Sequence, residues 1–501
     1  MFYTPTPSGG IALPSPRFDN TYARLPHAFY SRLDPVPVDN PALIRANTEL
    51  AEYLGIDPQW LASPEGVEAI AGNRVPDGAE PLAAVYAGHQ FGSYNPQLGD
   101  GRAILLGEVI ATDGKRYDIQ LKGSGPTPYS RGGDGRSPLG PVLREYIVSE
   151  AMYRLGVPTT RALAAVSTGD PVMREQVLPG AVLARVASSH IRIGTMQYFA
   201  AQKDTGAIAE LTEHVLERHY PAQAGAENRA LALLEAVIAG QAELIARWQL
   251  LGFIHGVMNT DNMLLCAETI DYGPCAFMDQ FNPAQVYSSI DHAGRYAYRN
   301  QPAIGQWNLS RLAQALLPLL DSDEDAAVAK AQAAIDAYPQ QFLDAHAQGL
   351  ATKLGLAVLE ERDTPLVEDL FALMAENHLD FTLTFRQLAD LAHSGSDACI
   401  SDDFPLPEAL TPWVSRWQER LAEDSLSPAE RQRSMHRANP AFIPRNHLVE
   451  AAISAAYNGD YRPFEALVER LHDPYRYDPA AAAFAAPPQP EEVVQQTFCG
   501  T

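Results

Sequence analysis

Cysteine is scarce. Cys266, Cys275, Cys399 and Cys499 are the only four in 501 residues, and no two stand in a C-x-x-C pair. That spacing is not a disulfide framework and argues against a structural zinc site. Basic residues are outnumbered, with 37 Lys and Arg against 61 Asp and Glu and a net charge of −24. A phosphate backbone needs a basic face, so nucleic acid is not an expected partner. A nucleotide needs only a few local cations and is still admissible. No apolar run reaches the ~18 residues of a membrane span, so no membrane partner is expected. The start, Met1-Phe2-Tyr3-Thr4-Pro5, has no basic stretch before an apolar one. No signal peptide is expected, and the cytoplasm is the default location. The composition is otherwise that of a globular enzyme, 46% hydrophobic and 20% charged, in a chain long enough for two or three domains.

The most informative stretch is Phe253-Ile254-His255-Gly256-Val257-Met258-Asn259-Thr260-Asp261-Asn262-Met263-Leu264-Leu265, followed by Ile270-Asp271-Tyr272-Gly273. It reads as two apolar runs around a tight polar loop. Protein kinases carry H-R-D-x-x-x-x-N and then D-F-G in such a place. His255 and Asn262 keep that spacing, but Val257 stands where a kinase has its catalytic Asp, and Asp261 appears one residue before the Asn. The metal-binding half of a kinase site is present while the usual base is missing. Either this is a dead kinase, or the phosphates are used differently. Asp279, in Met278-Asp279-Gln280-Phe281, competes with Asp271 for the metal role. Asp271 follows Asn262 by 9 residues and Asp279 by 17, against ~13 in kinases, so spacing alone does not choose.

Upstream, Ala42 to Leu54 has apolar positions at helical spacing, with Pro41 near its start and Gly55 after its end, and predicts a helix. Gly88, Gly92, Gly99 and Gly101 crowd together before a strand at 103–109, a turn at Asp113-Gly114 and a strand at 117–122 that ends in Lys122. Taken singly, the glycines read as tight turns and the lysine as an edge charge. In the order glycines, strand, Lys, helix they match the small lobe of a kinase. Residues 123–136 form a long Gly-rich loop, and 138–155 a helix carrying Glu145. In kinases the strand Lys pairs with a Glu on the next helix. Strands follow at 163–167 and 181–187. Arg185 lies within the second, where burial without a charged partner is costly, so it either faces solvent or meets an anion that Arg192 can share. From 208 the chain turns helical, with a long helix at 228–251 leading into the His255 loop. Helices follow from 307 onward, and a Pro-rich stretch near Phe404-Pro405-Leu406-Pro407 sets off a last block. The tail from Pro479 is rich in Ala, Pro and Gln and is expected to be partly disordered.

Gly99-Asp100-Gly101-Arg102, Gln120-Leu121-Lys122-Gly123-Ser124-Gly125, Thr127-Pro128-Tyr129-Ser130-Arg131, the 255–262 motif, Ile270-Asp271-Tyr272-Gly273-Pro274 and Asn439-Pro440 resemble the selenoprotein O (SelO, YdiU) family over nearly the whole chain. The resemblance implies an α+β, bilobal protein-kinase-like fold with a β-rich small lobe, a helical large lobe and extra N- and C-terminal helical segments. On that basis residues 1–80 are a wrapping segment, 81–200 the small lobe, 201–400 the large lobe, and 401–501 a C-terminal extension with a flexible tail. The implied activity is transfer of AMP from ATP, or UMP from UTP, to Ser, Thr or Tyr hydroxyls of protein substrates. Mg²⁺ or Mn²⁺ is the implied cofactor, self-modification is open to such an enzyme, and a monomer is expected. The alternatives are a kinase-type phosphotransferase and a non-catalytic nucleotide-binding scaffold. Carried over by motif, Gly99, Gly101 and Arg102 contact nucleotide, and Lys122 binds phosphate with Glu145 as its partner. Asp134 and Gly135 belong to a loop folded over the nucleotide, and Arg185 and Arg192 hold the outer phosphates. Asp261 is the proton acceptor, with organisation of the loop as its competing role. Asn262 and Asp271 bind the metal. Where some family members carry selenocysteine, this sequence has Cys499. It has no cysteine near Ser288-Ser289, which argues against a redox link from the tail.

Overall fold

A computed structural model describes residues 15–392 and 399–498. Its organising element is an eight-stranded antiparallel sheet. The first strand, β1 (Tyr30–Arg32), and β2 (Ala42–Ala46) come from the N-terminal segment and lie at opposite ends of the strand order. The helix expected over 42–54 therefore divides. Ala42 to Ala46 pair with the strand at 161–173, and only Thr48–Tyr53 (α1) is helical. Asn47 makes the switch, because its side chain accepts from the Leu50 amide and caps the helix. The apolar spacing fits both periods, and the waiting sheet edge decides between them. Two short helices, α2 (Pro58–Leu61) and α3 (Pro64–Ala71), then close the segment.

Next come β3 (Leu82–Ala84) and a hairpin of its own, β4 (Gly88–Gln90) with β5 (Ser93–Asn95). The main sheet continues with β6 (Ala103–Ile110), β7 (Arg116–Lys122), the short β8 (Ser137–Pro138), β9 (Arg161–Met173) and β10 (Val177–Ala187). Its order is β1-β3-β6-β7-β10-β9-β2. Alternation along β7 puts Gln120 and Lys122 on one face, and pairing with β10 sets Arg185 beside Gln120. Helix α4 (Leu139–Arg154) is buried on almost every side, which marks a helix with neighbours all round. One side meets the sheet. On the other, Val142, Leu143 and Tyr146 share a core with Val449, Ile453, Phe464 and Leu467 of helices 446–457 and 462–470. The C-terminal block thus backs the helix that carries Glu145.

Helices α5 (Ile193–Ala201), α6 (Thr205–His219) and α7 (Arg229–Leu251) follow. Helix α7 buries Leu233, Leu234, Val237, Ile238, Ile245 and Trp248, and ends at Gly252 with φ +69°, a left-handed turn that suits glycine. The chain then enters β11 (Phe253–Ile254), which pairs with β12 (Ala276–Phe277) and so brackets the polar loop. Helix α8 (Gln301–Leu320) and further helices complete this half.

The tail expected to trail away makes specific contacts as far as it is described. Arg445, fully buried, joins Asp279 at 2.7 Å, Asp380 at 2.6 Å and the Ala485 carbonyl at 2.8 Å. Thr497 pairs with Ser288 and donates its hydroxyl to the Pro274 carbonyl at 2.7 Å. Cys499 and residues 1–14 lie outside the described residues. No described helix is long and apolar enough to cross a membrane.

Candidate active site

Between the sheet and the loops of 257–274 lies a cavity of about 870 Å³. Gly99, Gly101, Arg102, Lys122, Asp134, Gly135, Arg185, Arg192, Asp261, Asn262 and Asp271 all line it. Of the site residues carried over by motif, only Glu145 is absent from its lining. Asp279 is elsewhere, held by Arg445, so the carboxylate facing the cavity is Asp271.

Three cations share two carboxylates here. Lys122 Nζ lies 2.5 Å from Glu145 Oε2 and 3.2 Å from Asp271 Oδ1. Arg185 Nη1 lies 3.1 Å from Glu145 Oε1 and 2.8 Å from Asp271 Oδ1, while Gln120 Oε1 takes its other nitrogens. Arg192 Nη1 donates to Asp271 Oδ2 at 3.0 Å and to the Asp261 carbonyl at 2.5 Å, and its guanidinium lies over the Tyr86 ring. The anion that relieves the buried Arg185 is thus a pair of protein carboxylates, and Arg192 shares one of them. Burial alone raises the Asp271 carboxyl, but Lys122, Arg185 and Arg192 outweigh it and hold the group well below its ordinary value. Glu145 is lowered by the same balance, burial against Lys122 and Arg185. Asp271 also adopts φ +64°, uncommon for a residue with a side chain.

Asp261 is held differently. It is 7% exposed, its Oδ2 accepts from Gln90 Nε2 at 3.3 Å, and its Oδ1 has no partner. Burial pushes its carboxyl up to about 6, against its own backbone amide, Arg192 and Gln90, which lower it. A carboxylate with an open lone pair and a value near neutrality suits a proton acceptor. Asn262 turns its amide nitrogen to the Val257 carbonyl at 2.9 Å, which leaves its oxygen available. The loop is fixed from behind by His255, whose Nε2 meets the Ile270 carbonyl at 2.8 Å.

The glycines serve packing more visibly than phosphate approach. The Gly99 amide goes to the Tyr86 carbonyl and the Gly101 amide to that of Gly99. A Cβ on Gly99 would meet the Tyr129 ring at 2.3 Å, and one on Gly101 the Tyr129 carbonyl at 2.8 Å. The long loop is tied across its base by a Ser124–Arg136 bridge, and Asp134 pairs with Arg174 at 2.8 Å, which lowers its carboxyl. Among the described residues no cluster of three His, Cys, Asp or Glu marks a metal site. The oxygens of Asn262 and Asp271 form the candidate set, a hard donor type that suits Mg²⁺ or Mn²⁺.

Sequence reasoning did not find the hairpin β4–β5 as part of the site. Its His89 amide donates to Thr260 Oγ1 at 2.8 Å and its Phe91 amide to Asn259 Oδ1 at 3.1 Å, while Gly88 packs onto Asp261. These bonds join segments far apart in sequence, and no local pattern announces them.

A family model described as Protein adenylyltransferase SelO matches residues 13–472. The chain belongs to the SelO family. Relatives within it are close: a protein nucleotidyltransferase YdiU of Bradyrhizobium diazoefficiens is 59% identical over 485 residues, covering 97% of this chain and 99% of that one. Proteins of the same name from Rhodopseudomonas palustris and Rhizobium leguminosarum are each 57% identical, covering 97% and 98% of this chain and 99% and 98% of theirs. The SelO match spans the sheet, the cavity and the helical half, so the cavity lies wholly within the matched region.

Proposed function

We propose that this chain is a protein nucleotidyltransferase that moves AMP from ATP, or UMP from UTP, to Ser, Thr or Tyr hydroxyls of proteins and releases pyrophosphate. The single observation that carries the reading is what the cavity wall brings together. Lys122, Arg185 and Arg192 gather around Asp271, and Asp261, its carboxyl pushed up to about 6, lines the same cavity beside Arg192. The family description and the relatives' names support the same class of reaction. In this reading the sheet half and helical half are the two lobes of a kinase-like fold, with the nucleotide between them.

The three cations stabilise the negative charge of the leaving pyrophosphate. Asp261 accepts the hydroxyl proton as the oxygen attacks the α-phosphorus. Val257, an apolar residue, occupies the position of the kinase base, which disfavours ordinary phosphoryl transfer. Asn262 and Asp271 would hold Mg²⁺ or Mn²⁺, and the bound ion would neutralise phosphate charge. Protein substrates are the partners, and the chain itself is one available acceptor.

Parallel reactions with α-labelled and γ-labelled ATP test this, with self-modification as readout and Mg²⁺ and Mn²⁺ compared. Label on protein only from the α position is the expected result. Label from the γ position means a kinase and overturns the assignment of the cations to a departing pyrophosphate. Nucleotide binding without label from either position, on the chain itself or on proteins of a cell extract, favours the scaffold.

A further inference from the structure

The hairpin that reaches Asp261 continues into a cationic and aromatic surface whose Arg295, Trp307 and Arg311 do not line the cavity. Trp307, on α8, meets two guanidinium groups, Arg295 at 4.8 Å and Arg311 at 5.2 Å from its ring centre. The His89 ring meets Trp307 edge-on at 5.3 Å and the exposed Tyr94 at 4.9 Å. Gly92, whose φ of +84° suits glycine, turns the hairpin tip within van der Waals reach of the Arg295 guanidinium. The Tyr296 hydroxyl donates to Asn259 Oδ1 at 2.6 Å and also receives the Phe91 amide, which ties this surface to the Asp261 loop.

Charge is the telling feature. The chain has 61 acidic residues against 37 Lys and Arg, and most of its arginines in the structure find carboxylates. Arg295 and Arg311 do not: neither has an ion-pair partner among the described residues, the Arg295 Nε is a buried donor without an acceptor, and Arg311 donates to the Ser310 hydroxyl at 3.3 and 3.4 Å. Asp291 lies nearby, but its oxygens accept from the backbone amides of Arg295 and Tyr296. Two arginines held over a tryptophan ring and left without carboxylates form a preorganised acceptor for carboxylates from elsewhere.

We propose that the Arg295–Trp307–Arg311 stack, with the β4–β5 hairpin, docks the protein substrate and selects acceptor hydroxyls flanked by acidic residues. The inference rests on the proposed function for its use of Asp261. Gln90 and Phe91 belong both to this hairpin and to the cavity wall, so a segment bound on the stack leads directly to Asp261. Elsewhere a net charge of −24 repels an acidic peptide, which makes the local exception selective.

Fluorescence anisotropy tests this without catalysis. The probes are three labelled peptides with a central Ser flanked by Glu, by Ala or by Lys, offered to the wild type, to Arg295→Gln/Arg311→Gln and to the charge-reversed Arg295→Glu/Arg311→Glu. The wild type should bind the Glu-flanked peptide about tenfold more tightly than the Ala-flanked one, with the advantage falling as salt rises. The Gln pair should lose that preference and the Glu pair should favour the Lys-flanked peptide. A fluorescent ATP analogue should bind all three proteins equally, showing that each is folded. Equal affinity for the three peptides on the wild type overturns the proposal, as does a preference that survives in the Gln pair. Tighter binding of single-stranded DNA of equal charge assigns the surface to nucleic acid instead. Failure of AMP transfer with the acidic preference intact removes the proposed reaction and leaves the docking surface standing.

Discussion

Asp261→Asn should make the protein more stable while destroying its proposed activity. Burial raises the Asp261 carboxyl from 3.8 to about 6, so ionising it in the folded chain costs free energy. A shift of about 2 units corresponds to ~3 kcal/mol. The sign follows from linkage: the unfolded chain releases this proton near 3.8 and the folded chain only near 6. The penalty is negligible below pH 3.8, grows between the two values and is complete above 6. The amide of Asn avoids the charge but puts a donor where Oδ1 has no partner, which returns ~1–2 kcal/mol. A net gain of about 1–2 kcal/mol is therefore expected at pH 8, seen as a rise in Tm of roughly 1–2 °C in a chain of this size. The comparison should be run in chelator without nucleotide, so that Asp261 is measured in its own surroundings. Near pH 4.5 the variant should lose about 2 kcal/mol of its relative advantage, because the wild type is then protonated when folded. AMP transfer should meanwhile fall by about 10²–10⁴, the usual contribution of a general base. A variant less stable than wild type at pH 8, or a difference independent of pH, would refute the reasoning that Asp261 is a strained, buried carboxylate.

Other consequences can be checked alongside it. Gly88→Ala would place a Cβ 2.3 Å from Asp261 Oδ1, so transfer should collapse while an ATP analogue still binds; unchanged turnover would mean that Asp261 can move without consequence. Gln90→Leu removes the only side-chain donor to the Asp261 carboxylate among the described residues and should lower kcat about tenfold with KM for ATP unchanged, as loss of orientation does; a pure KM effect would point to nucleotide contact instead. Glu145→Gln unbalances the buried cations and should cost ~3 kcal/mol in urea unfolding, together with weaker ATP binding; full stability would show that Asp271 alone suffices to hold Lys122 and Arg185.

Much of this site was legible because its chemistry sits in short, spaced motifs. Asp261, Asn262 and Asp271 lie on one loop between β11 and β12, and Lys122 ends a strand whose alternation is plain in the sequence. The choice of Asp271 over Asp279 was not settled by spacing and rested on Gly273 and the family motif; in the structure Arg445, from the far end of the chain, pairs with Asp279. The 42–54 segment misled because its apolar residues fit a helix and a strand equally, and the edge of β9 chose. The β4–β5 hairpin was invisible for a related reason: its position depends on side-chain bonds to Thr260 and Asn259, and only glycine clustering hinted at it.

The pairing of charges explains how so acidic a chain can keep the proposed phosphate site. Lys122, Arg185 and Arg192 would repel one another if gathered alone in a buried pocket, and each would shed stability through desolvation. Glu145 and Asp271 solve both problems by lying between them. The two carboxylates are not equivalent. Glu145 is sunk behind the cavity with a side chain 3% exposed, whereas Asp271 faces it at 26%. Phosphate oxygens entering from the cavity can therefore compete with Asp271 for the cations but cannot reach Glu145. The proposed division follows: Glu145 keeps the cations in place throughout, and Asp271, relieved of them by the phosphates, is the carboxylate left to accept a divalent ion. Nucleotide and metal should then bind with positive coupling, and Asp271→Asn should abolish that coupling while largely retaining metal-free nucleotide binding. Titrating an ATP analogue with and without Mn²⁺ measures both; equal coupling in the variant would place the ion elsewhere.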